Sequence, residues 1–145
     1  MNTENRSVLK FDNYVVKEIV YKINENFDKK EYVKLDFSFD NKLKYIPEDQ
    51  RMEIELTAYV FRNACENNYP FEMKVVLSGF FEVEGEGVDI RKFEANALAI
   101  LFPYMRALVS TYTSNANLAP VILPAMNINA FLKNKYNSRI EKNEK

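Results

Sequence analysis

Apolar and polar residues alternate with a period of two through most of the first half of the chain, and the period lengthens after Asp89. The second of four such segments is the plainest. Val33, Leu35, Phe37, Phe39, Leu43 and Tyr45 share one parity, with Lys34, Asp36, Ser38, Asp40, Lys42 and Lys44 on the other. That pattern predicts a strand with one face on a core and one in water. The third segment sets Met52, Ile54, Leu56, Ala58 and Val60 against Arg51, Glu53, Glu55 and Thr57. The fourth sets Phe71, Met73, Val75, Leu77, Phe81 and Val83 against Glu72, Lys74, Ser78, Glu82 and Glu84. The first, residues 8–23, is less clean: Leu9, Phe11, Val15, Ile19, Tyr21 and Ile23 share a parity, but Tyr14, Val16 and Val20 are apolar on the other. A strand apolar on both sides predicts a second contact, such as another subunit. Breaks are expected at 24–30, 46–50, 63–70 and 85–89. Four strands joined by short loops predict an antiparallel meander, solvated on one face.

Beyond Asp89, Leu98, Leu101, Phe102, Met105, Leu108, Val109 and Tyr112 recur at spacings of three and four, an amphipathic helix stripe. Pro103 inside it predicts a kink or a fresh start. Residues 117–126 place Pro120 and Pro124 among Leu118, Val121, Ile122 and Leu123, which reads as an extended, partly exposed arm. Asn127 or Asn129 is placed to cap a last helix carrying Ile128, Phe131, Leu132, Lys135 and Tyr136. The polar ends, 1–7 and 137–145, are expected to fray. The expected fold is α+β, a four-stranded antiparallel β-sheet followed by two helices packed on one face. It forms a single domain over 1–145, ordered from about 8 to 136. The helix stripe is longer than one small sheet face needs, and the sheet keeps two edges.

Composition narrows the chemistry. Lys+Arg 20 against Asp+Glu 21 leaves a net charge of −1, with no overall basic field to hold nucleic acid or an anionic membrane. Histidine is absent, which removes histidine metal ligands and any Ser-His or Cys-His nucleophile pair. Cys65 is the only cysteine and reads as a structural thiol, as in a reducing compartment. The polar amino terminus lacks the apolar run of a secretory signal, and the longest apolar run, 97–105, is too short to span a bilayer. A cytoplasmic protein with no integral membrane segment is expected. Glu53/Glu55 and Glu82/Glu84/Glu86 read as a solvated strand face, and Gly85-Glu86-Gly87 as a turn without the partners of a phosphate loop. No cofactor, metal site or catalytic set is expected. All three glycines lie within 79–87, so earlier turns must rely on Asn, Asp and Pro.

The run Leu101-Phe102-Pro103-Tyr104-Met105-Arg106 resembles the helix signature of the SecB export chaperones, Leu-Phe-Pro-Tyr-Ala-Arg. Ile122-Leu123-Pro124-Ala125-Met126-Asn127-Ile128-Asn129-Ala130-Phe131 is similar to that family's Leu-Ala-Pro-Val-Asn-Phe-Asp-Ala-Leu pattern. Val33-Lys34-Leu35-Asp36-Phe37 and Ser78-Gly79-Phe80-Phe81 resemble stretches of its second and fourth strands. The resemblance implies an ATP-independent holdase for unfolded polypeptides, a homotetramer built as a dimer of dimers, with clients in apolar surface grooves. It also implies docking of the motor protein SecA on an acidic sheet patch. The aligned acidic positions are here Glu18, Lys22 and Lys74, and only Glu18 keeps the acid. That departure weighs against SecA. Some SecB-like proteins serve an antitoxin of a toxin–antitoxin pair instead, and this is the alternative partner.

On this reading Val33, Leu35 and Phe37, with Leu118, Ile122 and Leu123 on the arm, are the candidate client contacts. Val16, Val20, Met105 and Val109 are the candidate oligomer contacts, and Glu18, Lys22 and Lys74 mark the partner-docking patch. Phe39 and Phe81 are expected in the core, while Phe80 has the polar-face parity of its strand. The competing class is a small-ligand carrier, which needs an enclosed pocket with convergent polar groups.

Overall fold

The computed structural model describes residues 7–29 and 32–143. Four strands, β1 (Val8–Ile23), β2 (Phe37–Ile46), β3 (Arg51–Val60) and β4 (Phe71–Glu84), form one antiparallel sheet in the order β1-β4-β3-β2. A one-turn helix α1 (Ala64–Asn67) links β3 to β4. Two helices follow, α2 (Ile90–Asn115) and α3 (Ile128–Asn143). Expectations for residues 1–6 and 144–145 lie outside the described residues. The predicted fraying from 137 gives way to helix as far as Asn143.

The predicted meander is corrected. β2, β3 and β4 are joined in sequence, but β1 lies beside β4, so the sheet is a Greek key. Asn24 shows why. Its N–H donates to the Pro70 carbonyl at 3.0 Å, and its side-chain amide donates to the carbonyls of Ala64 and Tyr69 at 3.2 and 2.9 Å. The buried amide thereby fastens the end of β1 to the entry of β4. The link from β1 to β2 is then free to cross the end of the sheet.

Two bulges explain the mixed parity of β1. Its register against β4 slips between Phe11 and Asn13 and again between Val16 and Glu18. Each extra residue flips the faces of those that follow. Residues opposite one another share a face, so Leu9, Phe11, Tyr14, Val16, Ile19 and Tyr21 all lie on the helix side with Val83, Phe81, Gly79, Leu77, Val75 and Met73. Val15 and Val20 are left on the open face.

α2 runs unbroken through Pro103, without the predicted restart. Proline deprives the Ala99 carbonyl of its helical partner, and both residues are exposed, where water can replace it. Asp89 caps the helix by accepting from the Lys92 N–H. The supposed excess of apolar stripe is also corrected. Phe93, Ala97, Leu98, Leu101, Phe102, Met105 and Val109 are all buried within the single chain, against Ile54, Leu56, Val75, Leu77 and Phe81.

Gly79 permits that fit. A Cβ there would lie 2.5 Å from Cδ2 and 3.0 Å from Cγ of Leu101, whose side chain is itself fully enclosed. Gly79→Ala should therefore destabilise the fold by about 1–3 kcal/mol, the usual cost of overpacking. Denaturant unfolding checks it. The double variant with Leu101→Ala should cost less than the sum of the two singles, because the cavity accepts the new methyl.

Candidate functional site

The segment leading into β2 was expected to belong to the strand; the ladder begins only at Phe37. Before it, residues 32–36 run extended, and the Asp36 carbonyl accepts from the Phe61 N–H at 2.8 Å. Tyr32, Val33, Leu35 and Phe37, alternating with the charged Lys34 and Asp36, line an open cleft of about 580 Å³, closed on the other side by Asn67 and Tyr69. Three of the predicted client contacts thus lie together. Val33, Leu35 and Phe37 are each half-buried, packed on the core below yet open to the cleft. Phe37 leans on Phe39, whose ring meets Phe102 edge-on at 5.2 Å.

The arm divides. After α2 the chain doubles back along it, with Val121 N–H donating to Thr113 Oγ1 at 2.9 Å and Arg106 Nε donating to the Leu123 carbonyl at 2.7 Å. Leu123 is 0% exposed and belongs to the core, whereas Ile122 is 69% exposed and Leu118 is half-buried. The arm is partly exposed as expected, but the place of Leu123 among the client contacts is corrected: successive side chains point to opposite sides, so Leu123 anchors in the core while Ile122 projects. None of the three lines the Tyr32–Tyr69 cleft.

The candidate oligomer residues divide as well. Val16 and Val20 are 42% and 44% exposed, and Val8, Tyr14, Val15 and Ile23 extend the same apolar edge strand. Tyr14 stacks on Tyr104 of α2 at 4.5 Å. Met105 and Val109 are both 0% exposed, which corrects their assignment, since their side chains face the sheet and not the outer side of α2.

Across the open face, Glu18 pairs with Lys74 at 3.8 Å, and Lys22 stands opposite Glu72. Phe80 is half-buried there, while Phe81 is core. Lys17, the second bulge residue, reaches over β4 to Glu53 and Glu55 at 3.2 and 3.3 Å. These hydrogen bonds, Glu53 first, raise its pKa. Cys65 is exposed, with its Sγ 3.5 Å from Asn24 Oδ1.

One cluster escaped the sequence reading. Asn41, at core parity in β2, is buried, and its amide donates to Glu94 Oε2 at 2.9 Å. Glu94 is buried on the apolar face of α2 and also accepts from the Tyr136 hydroxyl. Lys135 Nζ donates to the Asn41 carbonyl and, at 2.7 Å, to Asn41 Oδ1. The available signal was the polar interruption at Asn41 between Phe39 and Leu43, matched by Glu94 beside Phe93 and Ala97.

The scaffold is a 26-residue helix on a Greek-key sheet, with an open cleft at one flank and an edge strand bearing exposed valines at the other. The comparisons identify it. The family model for SecB, described as preprotein translocase subunit SecB, matches residues 3–139, and the chain belongs to the SecB family. An uncharacterized protein of Methanocaldococcus jannaschii, MJ0357, is 38% identical over 100% of this chain and 96% of its own. The protein-export protein SecB of Orientia tsutsugamushi (strain Boryong) is 26% identical over 77% of this chain and 71% of its own. Among solved structures, the fold is similar to the Mycobacterium tuberculosis Rv1957 SecB-like chaperone in complex with a ChAD peptide from the Rv1956 HigA1 antitoxin. The TM-score is 0.64 at 13% identity, covering 82% of this chain and 88% of that one. A Streptococcus agalactiae protein of unknown function matches with a TM-score of 0.51 at 16% identity, over 83% and 99%. No helix among the described residues is long and apolar enough to cross a membrane.

The cleft wall is tied by Tyr69, whose hydroxyl donates to Asp36 Oδ2 at 2.8 Å. That hydrogen bond holds the Tyr69 pKa above its ordinary value of 10.0. The neutral phenol is the donor, so its contribution is complete below the unfolded-state pKa and is lost as pH rises through the raised one. Tyrosine-selective NMR titration should show Tyr69 ionising above the ordinary range, and Asp36→Asn should move it back down.

Proposed function

We propose that this SecB-family chain is an ATP-independent holdase, keeping unfolded polypeptides extended by apolar and main-chain contact along the cleft beside β2. The half-covered row of Val33, Leu35 and Phe37 carries the reading. A site that accepts many sequences needs apolar surface and backbone hydrogen bonding without a polar code. The cleft is open, unlike the enclosed pocket a small-ligand carrier requires. Leu118 and Ile122 offer further apolar contact along α2, and several modest contacts on one extended client add up to tight binding.

The functional unit on this reading is a cytoplasmic homotetramer. The β1 edge exposes Val8, Tyr14, Val15, Val16, Val20 and Ile23, has no strand on its outer side among the described residues, and pairs with a second copy, burying Val16, Val20 and the Tyr14–Tyr104 stack. Dimers then associate through the outer side of α2.

Two partners compete. In the patch aligned with SecA docking, the Glu18 carboxylate is neutralised by Lys74, so SecA binding through it would be weak and salt-sensitive. That pairing favours the antitoxin alternative, a polypeptide client that needs no acidic patch. The fold similarity to a SecB-like chaperone in complex with an antitoxin peptide is in keeping with it.

Val33→Ser, Leu35→Ser and Phe37→Ser together should weaken suppression of aggregation of a denatured client severalfold, with the sedimentation coefficient unchanged. Full protection by this variant at unchanged assembly would refute the cleft as the site. Val20→Asp should dissociate the tetramer in sedimentation velocity runs while circular dichroism stays the same, since Val20 is exposed within the single chain.

A further inference from the structure

Asp36 accepts from Phe61, so the even-numbered residues of β2 exchange hydrogen bonds with β3, and the in-register ladder carries that alternation to Ile46. The main-chain groups of Phe37, Phe39, Asn41, Leu43 and Tyr45 therefore point outward from the sheet. β2 is an edge with no bulge along its whole length. Among the described residues, hydrogen bonds reach this outward row only at Asn41. There both groups are taken: the N–H by Asp40 Oδ1 at 2.9 Å, the carbonyl by Lys135 Nζ from α3.

We infer that the β2 edge adds an extended client segment as a fifth, antiparallel strand, and that Lys135 is the stop that ends the pairing at Asn41. The inference rests on the holdase reading and specifies how that site grips its client. Three observations carry it. The outward groups of Phe37 and Phe39 continue directly from the cleft lined by Val33 and Leu35. Paired residues share a face, so a client residue bonded to Phe37 or Phe39 also directs its side chain to the apolar side of the sheet. The stop is built and not incidental, because the Lys135 ammonium also holds Asn41 Oδ1, and Asn41 in turn holds the buried Glu94. The opposite edge, β1, is bulged at two points and exposes valines on both faces, which suits a second copy better than a sliding client.

The probe is a fluorescent peptide alternating valine and serine, measured by anisotropy against the full chain. Antiparallel addition with valines on the apolar side uses valine amides as donors to β2. N-methylation of the valine amides should abolish binding, and N-methylation of the serine amides should leave it nearly unchanged. Lys135→Met, which keeps the aliphatic stem and frees the Asn41 carbonyl, should tighten binding about three- to tenfold, the span of one net hydrogen bond. A scan of single methylations should then find one more sensitive valine amide than with the parent. Lys135→Arg, keeping the cation, should show neither change. Binding that tolerates valine methylation, or suffers equally from both sets, overturns strand addition while leaving the holdase reading standing. An unchanged scan with a folded Lys135→Met chain overturns the stop. Failure of the parent chain to bind the unmethylated peptide overturns the holdase reading and this inference with it.

Discussion

An α-helix with its side chains is about 10–12 Å across, while strands in a sheet lie about 4.8 Å apart. One long helix can therefore cover two strands of a four-stranded sheet, not four. α2 lies over β4 and β3 and reaches β1 through Phe11 and Tyr14 on Tyr104 and Tyr21 on Tyr112. The helix-side residues of β3 and β4, from Met52 to Val60 and from Phe71 to Val83, are all buried. The flanking strands fare differently. Leu9, Phe11, Ile19 and Tyr21 on β1, and Phe37, Phe39, Leu43 and Tyr45 on β2, are only half-buried. The apolar surface this protein leaves open is a consequence of helix width, and it falls at the two edges of the sheet.

Each flank is finished in its own way. At β1 two bulges turn Tyr14 and Val16 toward the helix side, where Tyr14 meets Tyr104. Val15 and Val20 remain on the open face among Lys10, Glu18 and Lys22, so apolar residues are exposed on both sides of this edge. At β2 the return of the chain supplies partial cover. Leu123 drops into the core, Arg106 holds its carbonyl, and α3 then extends alongside to bring Tyr136 onto Glu94 and Lys135 onto Asn41. Arg91 stacks over the Tyr136 ring at 4.7 Å, while Leu132 of α3 enters the core with Ile128 and Phe131 packed against it. A helix docked this way leaves the cleft of Tyr32, Val33 and Leu35 uncovered.

The open face of the sheet is a mosaic. Lys17, displaced by its bulge, spans a central strand to bridge two carboxylates, and Lys74 pairs with Glu18. Such exposed pairs add little stability, since solvent and salt screen them. Their effect is on recognition: they remove the field of like charge that would steer a basic partner to this surface. What distinguishes the chain lies at its apolar flanks.

The family resemblance rested on the Leu101–Arg106 run. The period-two segments and the three-four stripe were enough to read the four strands, the long helix and the single-sided packing, because burial on one face imposes periodicity on the residues themselves. The core positions of β3, β4 and α2 were legible for the same reason. The order of strands was not, because it depends on Asn24 fastening the end of β1 to the entry of β4, a contact between residues far apart in sequence. Nor was the true facing of Tyr14 and Val16, because a bulge changes register without changing composition. Met105, Val109 and Leu123 read as surface candidates and are core, since an apolar residue looks the same in either setting. Sequence determined which residues must leave water; only the tertiary structure decided which neighbour covers each of them, because one helix cannot cover four strands and side-chain hydrogen bonds far apart in the chain settle where the rest are placed.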